Sequence, residues 1–83
     1  MSHTDKKIAN LILEMLLRRD PGKTICPSEV ARSLYPENWR EEMEHIREVA
    51  KVLVSEGKIV ITQKGIEVDP ENFKGAIRLR LKS

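Results

Sequence analysis

Apolar positions recur along the chain with two different periods. Ile8, Leu11, Ile12, Met15 and Leu16 fall at i, i+3, i+4, i+7 and i+8, the stripe of an amphipathic helix. Thr4 is the expected N-cap, with Asp5 in the first turn. Arg18 and Arg19 suit the negative end of the helix dipole, and Asp20-Pro21-Gly22 supplies a stop. Thr24-Ile25-Cys26 leaves room only for a bridge-like strand. Pro27 then sits where helices favour proline, at the first position of a short helix through Val30, Ala31 and Leu34. Pro36 ends that helix near Tyr35, because a residue before proline avoids helical angles.

The third helix carries the same period through Ile46, Val49, Ala50, Leu53 and Val54, with Trp39 and Met43 extending its face. Asn38 and Glu41 have the spacing of a capping box, and Gly57 suits a left-handed cap. Beyond it the period changes. Ile59-Val60-Ile61-Thr62-Gln63 is rich in branched residues and predicts a strand. Lys64-Gly65 predicts a turn, Ile66-Glu67-Val68 alternates briefly, and Asp69-Pro70-Glu71-Asn72 suggests a capped single helical turn ended at Lys74-Gly75. Ile77, Leu79 and Leu81 alternate with Arg78, Arg80 and Lys82, predicting a strand with one apolar and one basic face.

Helix, short strand, two helices and a C-terminal hairpin make an α+β chain of the winged-helix type, with three helices and a small antiparallel sheet. Residues 1–83 form one expected domain, with 1–4 frayed and 64–75 a decorated wing loop. Ile66, Val68 and Phe73 in that loop form either an exposed partner patch or a satellite core.

Composition narrows the function classes. A single cysteine cannot staple the domain, and it fits a reducing, cytoplasmic setting. The longest apolar stretch, residues 8–17, is interrupted by Asn10 and Glu14, so no membrane span or secretory leader is expected. Cys26 precedes a helix N-terminus, but the two histidines, His3 and His45, offer it no evident base. Nor do they form a recognised metal-ligand spacing with it. The four glycines are single punctuation marks rather than a phosphate-cradling run. No catalytic residue, metal or cofactor is expected.

The short motifs Ile25-Cys26-Pro27-Ser28-Glu29-Val30-Ala31-Arg32, Trp39-Arg40, Ile61-Thr62-Gln63-Lys64-Gly65, Val68-Asp69-Pro70 and Gly75-Ala76-Ile77-Arg78-Leu79-Arg80, in that order, resemble the small bacterial domain-of-unknown-function family 3253. The resemblance runs from about Ile8 to Arg80 and implies a winged-helix-like domain with no assigned activity.

Charge distribution supplies the functional expectations. The net charge is only +2, yet residues 58–83 hold six basic groups against three acidic ones. On the third helix Arg47 and Lys51 each lie within about 20° of Arg40 on the wheel, a basic stripe suited to a phosphate backbone. Glu41, Glu44 and Glu48 lie beside them, so the same face equally suits a solvated, self-paired helix. Arg78, Arg80 and Lys82 share one strand face, and Lys64 and Lys74 extend it across the wing. Those eight residues are the expected contacts for backbone-dominated binding of duplex DNA. The rival expectation is a protein-interaction module using the third helix and the wing, as a monomer or weak dimer. Aromatic residues are too few for a base-stacking platform.

Overall fold

Ser2 caps the first helix by accepting the Asp5 backbone N–H through its hydroxyl at 3.1 Å. Helix α1 therefore spans His3–Leu17, and the cap lies two residues before Thr4, where the sequence pattern placed it. The computed structural model of the chain describes residues 2–20 and 22–82. Pro21, part of the expected stop signal, and Met1, first of the four residues expected to fray, lie outside them. Strand β1 is Thr24–Ile25, α2 is Pro27–Leu34 and α3 is Trp39–Ser55. The sheet is completed by β2, Ile59–Gln63, β3, Ile66–Glu67, and β4, Arg78–Leu81.

Two caps differ from their sequence signals. Asn38 makes no side-chain cap bond to α3, because its backbone, at φ −137° and ψ 35°, does not take the extended geometry that aims an Asx side chain at the first turn. The reaching-back glutamate sits on α2 instead, where the Glu29 carboxylate accepts the Cys26 N–H at 2.6 Å. At the far end of α3 the expected glycine cap forms. Gly57, at φ +75°, donates to the Val54 carbonyl at 2.9 Å, and Lys58 donates to Leu53 at 3.0 Å. That pair of bonds is a Schellman motif.

The four strands are antiparallel in the order β1-β4-β2-β3. Strand β4 thus lies between β1 and β2, the sheet arrangement of a winged helix. The expected wing loop is more structured than a decorated connection. Lys64 and Gly65, both at positive φ (53° and 80°), close a two-residue hairpin that sets Glu67 opposite Thr62. The chain then returns to the other flank of β2. Asp69 does not start a helical turn: its carboxylate accepts from Glu71 N at 2.9 Å and its carbonyl from Asn72 N at 3.1 Å. The result is an Asx-stabilised β-turn with Pro70 at its second position, where proline's fixed φ fits.

Helices cover one sheet face. Ile8, Ile12 and Leu16 from α1, Val30 and Ala31 from α2, and Ile46, Val49, Ala50 and Leu53 from α3 pack with Ile25, Ile59, Ile61, Ile77 and Leu79. Val68 and Phe73 pack against this core as the satellite, while Ile66 stays 69% exposed. On the opposite face of β2, Val60 and Thr62 are also buried, each in register with an arginine of β4.

Candidate nucleic-acid interface

Trp39 opens α3 at the corner where α2 turns into it, half-buried against the core. The Arg32 and Arg40 guanidiniums lie over its ring at 4.3 and 4.4 Å from the centroid. Such cation–π contacts orient the guanidinium while leaving its edge donors available. Arg32 stands on the last turn of α2 and Arg40 is the second residue of α3, and both are exposed. Among the described residues no carboxylate lies within ion-pair distance of either.

The stripe expected along α3 is divided. Arg47 pairs with Glu44 at 3.9 Å and Lys51 with Glu48 at 3.7 Å, so two of its three cations lean toward carboxylates on their own helix. The third, Arg40, turns to Trp39. Farther round the helix, His45 meets Asp5 of α1, and Glu42 lies 3.6 Å from the other ring nitrogen. The hydrogen bond with Asp5 raises the imidazole's pKa above its ordinary value; partial desolvation opposes it and Glu42 adds to it.

The wing cations divide into two groups. Lys64 and Lys74 border one open cleft of about 580 Å³ with Gln63 and Gly75. Gln63 holds the cleft's shape, its side-chain amide donating to the Lys74 and Ala76 carbonyls at 2.5 and 3.0 Å. Arg78 and Arg80 share the expected face of β4 and Lys82 lies just past its end, and none of the three lines that cleft. Arg78 Nε donates to Thr24 Oγ1 at 2.8 Å, and Arg80 is half-buried in register with Thr24 and Val60. The eight residues singled out in the sequence therefore do not converge on one cleft.

Arg32 is not among the cations expected from the sequence, which come from the third helix, the last strand and the wing loop. The signal was present: with Trp39 at the junction, the last turn of the preceding helix is its neighbour.

The α2 N-terminus is tied down by a separate network. Arg19, just past α1, pairs with Glu29 at 2.6 Å, and Ser28 Oγ donates to Cys26 Sγ at 3.1 Å. Partial burial pushes the Glu29 carboxyl up, but the Cys26 N–H and the Arg19 guanidinium more than offset this and hold it below its ordinary value. No group of three or more His, Cys, Asp or Glu able to hold a metal ion occurs among the described residues, and none of their helices is long and apolar enough to cross a membrane.

A family model described as "Protein of unknown function (DUF3253)" matches residues 5–82, nearly the whole chain. No curated protein matches it.

Proposed function

This chain belongs to the DUF3253 family, whose description assigns no activity, and we propose that it binds duplex DNA through the corner between α2 and α3 and the tip of the wing. The observation that carries the reading is the pair of guanidiniums over Trp39. In a helix-turn-helix the N-terminal residues of the second helix face the base edges. Here that end of α3 presents Trp39 and Arg40, with Arg32 beside them. Lys64 and Lys74 supply backbone contacts from the wing. Arg47 and Lys51 contribute less, because each must leave a carboxylate to reach a phosphate. The single cysteine suits a reducing, cytoplasmic setting for such an activity.

The only tryptophan of the chain stands at the proposed contact, so its own fluorescence is the readout. Titrating a mixed-sequence duplex at about 50 mM salt should change Trp39 emission, and raising the salt should reverse the change through counterion release. Replacing both arginines (Arg32→Gln with Arg40→Gln) should weaken binding and lower the salt slope by about two phosphates' worth. Unchanged emission at low salt, together with unchanged anisotropy of a labelled duplex, overturns the proposal.

A further inference from the structure

We propose that the groove running from the end of α1 past the β1 edge to β4 docks an acidic peptide with a bulky aliphatic side chain. Leu17, the last residue of α1, is 72% exposed. It lines a cleft of about 380 Å³ whose apolar wall also includes Leu16 and half-buried Leu81. Lys23 and Lys82 border the same cleft. A second cleft of about 440 Å³ adjoins it, sharing Arg19, Asp20 and Lys23 and continuing to Arg18, Thr24 and Arg78. The groove is thus aliphatic at one end and cationic at the other.

Charge complementarity chooses the occupant. Arg18 and Arg19 are already answered by Glu14 and Glu29. Among the described residues no carboxylate lies within ion-pair distance of Lys23, Arg78 or Lys82, although Arg78 is near enough to Glu29 to help lower its pKa, so Lys23 and Lys82 are the cations left unanswered. Asp20 is the one acidic residue among those that line the two clefts. Arg78 is also pre-positioned, because Thr24 accepts from its Nε at 2.8 Å and from one terminal nitrogen at 3.3 Å. An arginine held in place loses less freedom on binding than a free one. A phosphodiester chain could use the cations but would leave the leucine wall idle, and no aromatic residue lines the groove to stack a base. A peptide with an aliphatic anchor next to carboxylates uses both ends.

The test is an amide-resolved NMR titration of the full chain with an acetylated, amidated pentapeptide of two leucines followed by three aspartates. Saturable shifts at Leu17, Lys23, Leu81 and Lys82, which weaken as salt rises, are the expected result. Leu17→Asn changes an exposed side chain and should weaken binding about tenfold while leaving the spectrum dispersed. Arg78→Gln should weaken it and flatten its salt dependence, with Lys23→Gln as the substitute if the first variant loses its fold. The idea is overturned by no saturable shift at millimolar peptide, or by equal binding of the peptide with serines in place of leucines. It is also overturned if duplex DNA moves the same amides at lower concentration. Trp39 emission is read in parallel, so failure at this groove is distinguished from failure at the α2–α3 corner.

Discussion

Replacing Thr62 by valine should make this protein more stable. Thr62 lies on β2, 1% exposed, and among the described residues its hydroxyl oxygen has no hydrogen-bond partner. Its cross-strand neighbours are Arg78 of β4 and Glu67 of β3. Arg78 could have answered it, but that guanidinium reaches the other way, to Thr24. A buried hydroxyl without a partner costs about 1–3 kcal/mol of desolvation. Valine puts a methyl group in the hydroxyl's place, keeps the β-branch, and favours a strand at least as well. Taking the low end of the range gives a gain of about 1 kcal/mol, or a rise in Tm of roughly 4–8 °C for a domain this small. Urea unfolding should show a higher midpoint at unchanged slope. Thr62→Ser keeps the hydroxyl and loses a methyl, so it should instead cost about 0.8 kcal/mol. A destabilised Thr62→Val beside a near-neutral Thr62→Ser would show that the hydroxyl is bonded and would refute the expected gain.

Other residues give outcomes of definite sign. Because Asp5 raises the His45 pKa above 6.5, the stabilisation from their pair is complete below about pH 6.5 and fades as pH rises through the raised folded value. Asp5, lowered from 3.8 chiefly by the same bond, loses its share as pH falls through its lowered value. The difference in Tm between the parent and His45→Gln should therefore be largest near pH 5–6 and shrink toward pH 9, and a flat difference would contradict the pairing. Glu29→Gln should cost about 1 kcal/mol at neutral pH through the weakened α2 cap. Because the folded-state pKa of Glu29 lies below 4.5, that cost should disappear as acid protonates the parent's carboxyl, as paired denaturant titrations would show. Lys64 occupies left-handed backbone at φ 53°, where asparagine is preferred, so Lys64→Asn should raise stability by about 0.5 kcal/mol in urea unfolding. The same change should remove one wing contact from the duplex titration.

The parts of the fold legible in the sequence are those governed by long-range burial. The α1 and α3 stripes, the apolar face of β4 and the Gly57 cap all appear because a repeated period or a positive-φ position leaves a residue-type trace. What escaped was decided by local competition. Ser2 and Thr4 are both good capping side chains, and the extended backbone at Ser2 aims its hydroxyl at the first turn while Thr4 is already helical. Asn38 had the right chemistry but the wrong ψ, and Cys26-Pro27-Ser28-Glu29 formed the reaching-back cap with a residue seldom counted as an N-cap. The candidate site was legible only as a set of cations. Which carboxylate each one meets depends on rotamers and on neighbours from other elements. Of the three pairs the α3 spacing offers, Arg47–Glu44 and Lys51–Glu48 form, whereas Arg40 meets Trp39 instead of Glu44, and Arg78 meets Thr24.

That redistribution changes how strongly DNA binding should respond to salt. Contacts from all eight sequence-derived cations would give a slope of about −7 in log affinity against log salt, at roughly −0.9 per phosphate. The arrangement around Trp39 and the wing tip uses only Arg32, Arg40, Lys64 and Lys74, for a slope of about −3.6. Between about 50 and 200 mM salt these differ by roughly a hundredfold in lost affinity. The acidic residues of α3 push the same way: Glu41, Glu44 and Glu48 are exposed along the helix, so laying its full length against phosphates would set carboxylates against them. The helix is therefore expected to approach by its N-terminal end, where the two arginines lie over the indole. A slope near −7 would mean that Arg47 and Lys51 abandon their glutamates on binding, and the corner would lose its claim to be the principal contact.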